Sequence, residues 1–254
     1  MEKVTENYFT EHLARNYAAL WPHLFEPGAV IPAVDFLSAL APGGAALEFG
    51  VGTGRLALPL SARGIEVHGI DLSPEMLEEL AHQPGAATVR VTLGDIASTR
   101  VAGGAGSYEL VYLVRNTIMN LTTQDAQVEC FANAAWHLRP GGKFVIEVMV
   151  PELRRLPPGT TVRAFSTGPR HFGFEEYDVA TQDSVSFHVF ERDGKTETFS
   201  APFRHVWPAE LDLMARLAGL VRRERWSDWD RAPFTSESRS HVSVWEKVDG
   251  PTEA

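Results

Sequence analysis

The chain has 254 residues, 44% of them hydrophobic and 22% charged, and 23 Lys and Arg against 33 Asp and Glu give a formal net charge of −10. That length suits one large domain or one domain with an appendage, and the composition argues against disorder and fibrous repeats. The acidic balance disfavours a nucleic-acid binder, which needs a basic face for phosphates. A single cysteine, Cys130, excludes an intramolecular disulfide and a zinc site of several thiolates. No apolar run approaches the roughly 20 residues of a spanning helix. The polar start, Met1 to Asn7, is unlike a signal or transit peptide, so a soluble cytoplasmic protein is expected.

Phe9 to Phe25 and Ile31 to Leu40 read as two helices, Leu13, Tyr17 and Leu20 falling on one face, with Pro27-Gly28 as the break between them. Short apolar runs then alternate with helical stretches. Ala45 to Phe49, Ile65 to Ile70, Thr88 to Leu93, Leu110 to Val114 and Lys143 to Val150 are strand candidates. Arg55 to Arg63, Pro74 to Ala81 and Asp125 to Leu138 are the helices between them. Strand and helix in turn imply an α/β fold, a doubly wound, mostly parallel sheet covered on both faces. Residues 160–206 change to polar/apolar alternation around Asp193-Gly194, a pair suited to a tight hairpin turn. This predicts a small antiparallel β-sheet inserted as a lid over residues 151–207. Pro208 to Leu220 returns to helical spacing, with Leu211, Met214, Leu217 and Leu220 on one side. Val221 to Trp226 and His241 to Lys247 then complete a seven-stranded sheet, so that 1–150 and 208–248 form the main, Rossmann-like domain.

The most informative segment is Leu47-Glu48-Phe49-Gly50-Val51-Gly52-Thr53-Gly54, between a strand and a helix. Its glycines permit a tight turn and let a ligand lie against bare backbone, and a helix N-terminus there would add amide donors. Asp71 ends the next strand, 21 residues after Gly50, where a carboxylate can accept hydrogen bonds from a ribose diol. The dinucleotide fingerprint G-x-G-x-x-G is not met, since Arg55 stands where its third glycine should be. Glu48, two residues before the first glycine, suits a cationic ligand better than a phosphate. S-adenosylmethionine, with a sulfonium and an ammonium and no phosphate, fits these charges.

Glu48 to Gly54, Asp71-Leu72-Ser73-Pro74-Glu75-Met76, Gly94-Asp95-Ile96 and Pro140-Gly141-Gly142 together resemble the cofactor site of class I S-adenosylmethionine-dependent methyltransferases. The resemblance implies that Gly50, Gly52 and Gly54 underlie the methionine part and that Asp71 holds the ribose. It puts Leu72 and Met76 beside the adenine, with Asp95 and Ile96 at its amino edge. Backbone around Val114 and Arg115, with Tyr17, would reach the methionine amino and carboxyl ends.

Methyl transfer asks the protein to align the reactants and exclude water. The segment Arg115 to Asn120 lacks the Asn/Asp-Pro-Pro-aromatic sequence of base-amino methyltransferases, and Cys130 lies in a helix as inert core, so a small-molecule acceptor is favoured over nucleic acid or membrane. The inserted sheet is similar to that of small-molecule N-methyltransferases acting on nucleotide-linked amino sugars. In that likeness Tyr8 falls near the group's N-terminal active-site tyrosine, and Asn120 falls where the group has a catalytic histidine. Asparagine cannot act as a base, so another group takes the proton or the acceptor differs. Glu147, Trp21, His171, Glu175 and Tyr177 are the further candidates for substrate contact, with His23, His188 and His205 behind them. Arg222, Arg223 and Arg225 read as a solvated edge. Methylation of an oxygen, a binding protein without turnover and a nicotinamide oxidoreductase are the rival readings. The oligomeric state stays open, with a homodimer through the exposed edge of the inserted sheet among the options.

Overall fold

The computed structural model describes residues 11–152, 156–192 and 194–248. Tyr8 and Asp193 lie outside the described residues. The described residues open with α1 (Glu11–Leu20), a 3-10 turn at Pro22–Leu24 and α2 (Pro27–Leu40). Pro27-Gly28 is therefore not the break between the helices but the start of the second. Proline at the first helical position loses no intrahelical bond and brings a preset φ, and the Glu26 carbonyl accepts from Ala29 and Val30.

The main sheet is built from β1 (Ala45–Phe49), β2 (Glu66–Asp71), β3 (Val89–Leu93), β4 (Tyr108–Leu113), β5 (Leu138–Met149), β10 (Leu220–Trp226) and β11 (Ser240–Lys247). Its order is β10-β11-β5-β4-β1-β2-β3, parallel from β3 through β5 and antiparallel where β11 joins β5 and β10 joins β11. The sheet reverses its direction of growth between β1 and β4, so the crevice beyond their carboxyl ends is the place for a ligand. Between β4 and β5 the register shifts, because Pro140-Gly141-Gly142 bulges out of the ladder.

Both faces are buried. On one, Leu47, Phe49, Phe131, Phe144 and Trp245 pack with α5 (Gln124–His137) and α6 (Pro208–Leu217). On the other, Ala46, Tyr112, Val145 and Val244 meet α2 and α3 (Ala57–Ala62). α4 (Pro74–Ala81) flanks β2 and β3, and α1 lies across α4. Edge strand β3 departs from the expected double burial: Val91 is 43% and Leu93 58% exposed. Leu217 departs too, at 75% exposed, because six residues from Leu211 is two-thirds of a turn away; Ala215 and Ala218 fill the face instead.

Between β5 and α6 a separate sheet runs β6 (Val162–Gly168), β7 (His171–Tyr177), β8 (Asp183–Arg192) and β9 (Lys195–Arg204), all antiparallel. Its two-residue alternation gives it two dissimilar faces. On one, Phe174 stacks on Phe187 at 4.7 Å beside an open cleft of about 310 Å³. The other carries His171, Glu175, Tyr177, His188 and Phe190. No described helix is long and apolar enough to cross a membrane.

Only part of the arginine run on β10 is a solvated edge. Arg222 and Arg223 are about half exposed, but the Arg225 side chain is 8% exposed. It clamps Asp212 with two nitrogens (2.8 and 3.1 Å) and donates to Ser243 Oγ at 2.7 Å, while Trp245 Nε1 donates to the same carboxylate. Removing one partner of this part-buried pair leaves the arginine's charge without its carboxylate. Asp212→Ala should therefore cost about 2 kcal/mol in urea unfolding, whereas Leu217→Ser should stay within about 0.5 kcal/mol. Equal effects of the two changes would mean that Arg225 is solvated after all.

Candidate functional site

The three loop glycines each serve a different need. All have positive φ: Gly50 at +75°, Gly52 at +52°, Gly54 at +83°. A Cβ on Gly50 would lie 2.7 Å from the Thr117 methyl, and one on Gly54 would press on Leu58 and Leu80. A Cβ on Gly52 would meet nothing within 4 Å, so this residue presents bare peptide to an open crevice. Between them Val51 turns inward onto Gly69 of β2, a close approach that no sequence motif marked. α3 begins at Ala57 rather than Arg55, so the amides facing the crevice belong to turn backbone and not to a helix end.

Asp71 fixes this loop. Its Oδ2 accepts the Gly52 N–H at 2.7 Å and its Oδ1 accepts the Ser73 N–H at 2.9 Å. Burial raises its pKa, partly countered by hydrogen bonds from Ser73, Gly52 and Leu72. Three donors against about four lone-pair sites leave the carboxylate room for a further donor. Beyond it Leu72 is half-buried and Met76 buried, with Ser73 capping α4 through Met76 N. The Gly94 N–H donates to Asp71 O at 2.8 Å, which brings Asp95 and Ile96 alongside. Asp95 Oδ1 accepts from Ala97 N, and Asn133 Nδ2 holds the Ile96 and Thr99 carbonyls. Asn133 was missed in the sequence, although an asparagine on the buried face of a helix is a signal that it satisfies backbone elsewhere.

Glu48 does not open onto the crevice. It is 3% exposed and accepts the Tyr112 hydroxyl at 2.9 Å. Burial pushes its pKa up to about 8, against the lowering effects of Tyr112 and Arg55. The Arg55 guanidinium reaches back to the Leu24 carbonyl, linking the loop to the N-terminal turn.

After Val114, Arg115 and Asn116 both adopt left-handed backbone (φ +56° and +64°), a conformation that costs side-chain-bearing residues free energy and that asparagine tolerates best. Glu147 holds them there: its carboxylate accepts Arg115 N at 2.7 Å and its carbonyl accepts Asn116 N at 3.2 Å. Asn116 Oδ1 in turn accepts Met149 N. Glu147, expected beside the substrate, is thus engaged in bracing the turn. The chain then enters a 3-10 turn, Thr117–Asn120, that ends on half-buried Asn120. Gln127, fully buried, donates to the carbonyls of Ile118, Leu121 and Arg204, joining this turn to the end of β9.

The polar face of the four-stranded sheet meets the N-terminal segment. Trp21 sets its ring edge-on to Phe190 (5.8 Å) and His188 (6.1 Å), and Tyr17 packs on Trp21 at 4.9 Å. His171 stacks on Phe190 at 4.3 Å and shares a 3.0 Å hydrogen bond, Nε2 to Nδ1, with His188. Burial, with His171 alongside, depresses His188 to about 4, and burial also lowers His171. At neutral pH both rings are uncharged. His23 is exposed. Deeper in the same face Glu175 accepts from Tyr177, Ser184 and His205, so Glu175 and Tyr177 bond to each other. Burial raises the Glu175 pKa, but these hydrogen bonds outweigh it and the net shift is downward.

Residues 46–142 match the methyltransferase domain family. The CcbJ methyltransferase of Streptomyces caelestis is 34% identical, with a TM-score of 0.82 over 95% of this chain and 98% of that one. The cypemycin N-terminal methyltransferase of a Streptomyces species is 26% identical over 231 residues, 88% of this chain and 91% of its own. The fold is also that of CalS10, an amino pentose methyltransferase from Micromonospora echinaspora solved with S-adenosylmethionine bound: TM-score 0.67, 20% identity, 91% and 96% coverage.

Glu48 makes stability depend on pH in a definite direction. Its folded pKa of about 8 exceeds the unfolded carboxylate value, so the folded chain keeps a proton that the unfolded chain releases. The stabilisation is complete below the unfolded pKa and is lost as pH rises to about 8. Glu48→Gln should flatten the fall in melting temperature between pH 5 and pH 8. An unchanged slope would place the titrating group elsewhere.

Proposed function

The chain belongs to the class I S-adenosylmethionine-dependent methyltransferases, and from that premise we propose that its acceptor is the amino group of a small natural product, with a nucleotide-linked deoxyamino sugar the leading candidate. The donor supplies a methyl carbon already activated on a sulfonium. The crevice fits it: bare peptide at Gly52, a buried carboxylate at Asp71 with room for a further donor, and no side chain blocking the turn. In this reading Gly50, Gly52 and Gly54 lie under the methionine part, Asp71 takes the ribose, and Leu72, Met76, Asp95 and Ile96 enclose the adenine. Val114, Arg115 and Tyr17 then reach the amino-acid end. The Arg115 guanidinium is exposed and has no ion-pair partner among the described residues, which leaves it available for an anionic group of either ligand. Glu48 braces the loop from beneath.

The observation that carries the amine reading is the wall formed by Trp21, His171, His188 and Phe190. An alkylammonium must lose its proton to become a nucleophile, at about 5 kcal/mol for a pKa near 10 at pH 7. A partly buried wall of aromatic rings and uncharged imidazoles lowers that cost by disfavouring the charged form. Its two imidazoles stay neutral and do not repel the incoming group. The N-terminal methyltransferase at 26% identity supports nitrogen as the acceptor atom.

Two measurements test this. The purified protein, given S-adenosylmethionine and a panel of nucleotide-linked amino sugars, small amines and their hydroxyl analogues, should release S-adenosylhomocysteine with amines. Turnover confined to the hydroxyl compounds would make it an O-methyltransferase, and no turnover with tight donor binding would make it a binding protein. In calorimetry with S-adenosylhomocysteine, Asp71→Ala should lose about 1–3 kcal/mol of binding. Gly52→Ala should weaken binding, because its new methyl enters the crevice, and should also lower the melting temperature, because φ of +52° strains any residue with a side chain. Unchanged affinity in both variants would remove the loop from the donor site.

A further inference from the structure

Among the described residues the amine reading leaves one task without an owner, because Asn120 cannot take a proton. The geometry points to His205, oriented by Glu175, as the group that removes the proton from the acceptor's amino nitrogen; this inference rests on the reading of an amine acceptor.

His205 follows β9 directly and is 1% exposed. Its Nε2 lies 3.1 Å from Glu175 Oε1. That carboxylate is itself fixed, Ser184 Oγ donating to Oε1 at 2.8 Å and the Tyr177 hydroxyl to Oε2 at 2.7 Å. A carboxylate can only accept, so Nε2 carries the hydrogen and Nδ1 is left with a lone pair. Nδ1 has no hydrogen-bond partner among the described residues, although it is buried. Such a group costs about 1–3 kcal/mol, and a neutral ring placed only for packing would not need its polar edge left bare.

Its location suits the role. The His205 backbone is pinned by Gln182 on both sides, N–H to the Gln182 carbonyl at 2.8 Å and carbonyl to the Gln182 amide at 2.7 Å. Gln127 ties the adjacent Arg204 carbonyl to the turn that ends at Asn120 and begins at Thr117, against Gly50. The charged and titratable groups facing the ring are Glu175 and Tyr177 of β7. The neighbouring Arg204 guanidinium is spent on Gln127 and Glu210. In the step, the acceptor N–H bond breaks, an Nδ1–H bond forms, and the electron pair remains on the acceptor nitrogen. Positive charge passes to the imidazolium, facing the Glu175 carboxylate, and the proton returns to solvent when product leaves. Carboxylate-oriented imidazole is a recurring arrangement for a general base.

The test has two arms. In protein carrying 15N-labelled histidine with S-adenosylhomocysteine added, the neutral His205 ring should show a hydrogen on Nε2 and a bare Nδ1. With an acceptor from the panel above, His205→Gln should lower kcat at neutral pH by about 10²–10⁴-fold, leaving KM and S-adenosylhomocysteine affinity in place. The variant's rate should recover as pH approaches the amine's own pKa, a readout that a merely structural residue would not give. Glu175→Gln, which keeps the shape but loses the orienting charge, should show a smaller deficit of the same kind and serves if His205→Gln does not fold. A hydrogen on Nδ1 of the neutral ring, or a kcat within about threefold of wild type with an unchanged pH profile, overturns the role of His205 while leaving amine methylation standing. Turnover of hydroxyl acceptors alone removes the amine reading and this step with it.

Discussion

The 2.7 Å hydrogen bond from the Gly52 amide to Asp71 is the constraint on which the site depends. It ties the tip of the loop after β1 to the end of β2, and the same carboxylate fixes the start of α4 through Ser73. Without that anchor a loop with three residues at positive φ would have many conformations open to it. With it, the bare face of Gly52 is held outward and Val51 is held inward on Gly69. A ligand placed against the loop would therefore meet backbone whose conformational entropy is already lost, a preorganisation that leaves more of the contact energy for binding.

A second set of constraints holds the far wall of the crevice. Arg115 and Asn116 sit in backbone conformations that an isolated peptide would avoid, and Glu147 and the Asn116 side chain hold them there. Gln127 extends the same rigidity to the inserted sheet by donating to three carbonyls from two elements. Glu147 and Asn116, a carboxylate and an amide that look like reagents in a sequence, are here part of the frame.

That division explains what could be read from the sequence. The alternation of strands and helices, the glycine loop, Asp71 and the inserted sheet were legible because each rests on local periodicity or on a turn that only certain residues can form. The start of α2 at Pro27 was not, since proline both breaks helices and begins them and only the neighbouring carbonyls decide. Leu217 and Arg225 were misjudged for a related reason. Leucine at plausible spacing fell off the buried face, and an arginine in a charged run found Asp212 and Ser243 across the sheet. Glu147 and Glu175 have the right chemistry for an active site, but each has a hydrogen-bond partner far along the chain, Arg115 at 32 residues and His205 at 30. No local pattern reports such a partner.

Trp21 has a consequence for how parts of the molecule move together. It sits between Tyr17 of α1 and the rings of Phe190 and His188, while α1 packs on α4. One short stretch of chain thus ties the inserted sheet to the helix that follows β2. A shift of α1 would disturb the ring packing on β8 and the contact with α4 at the same time.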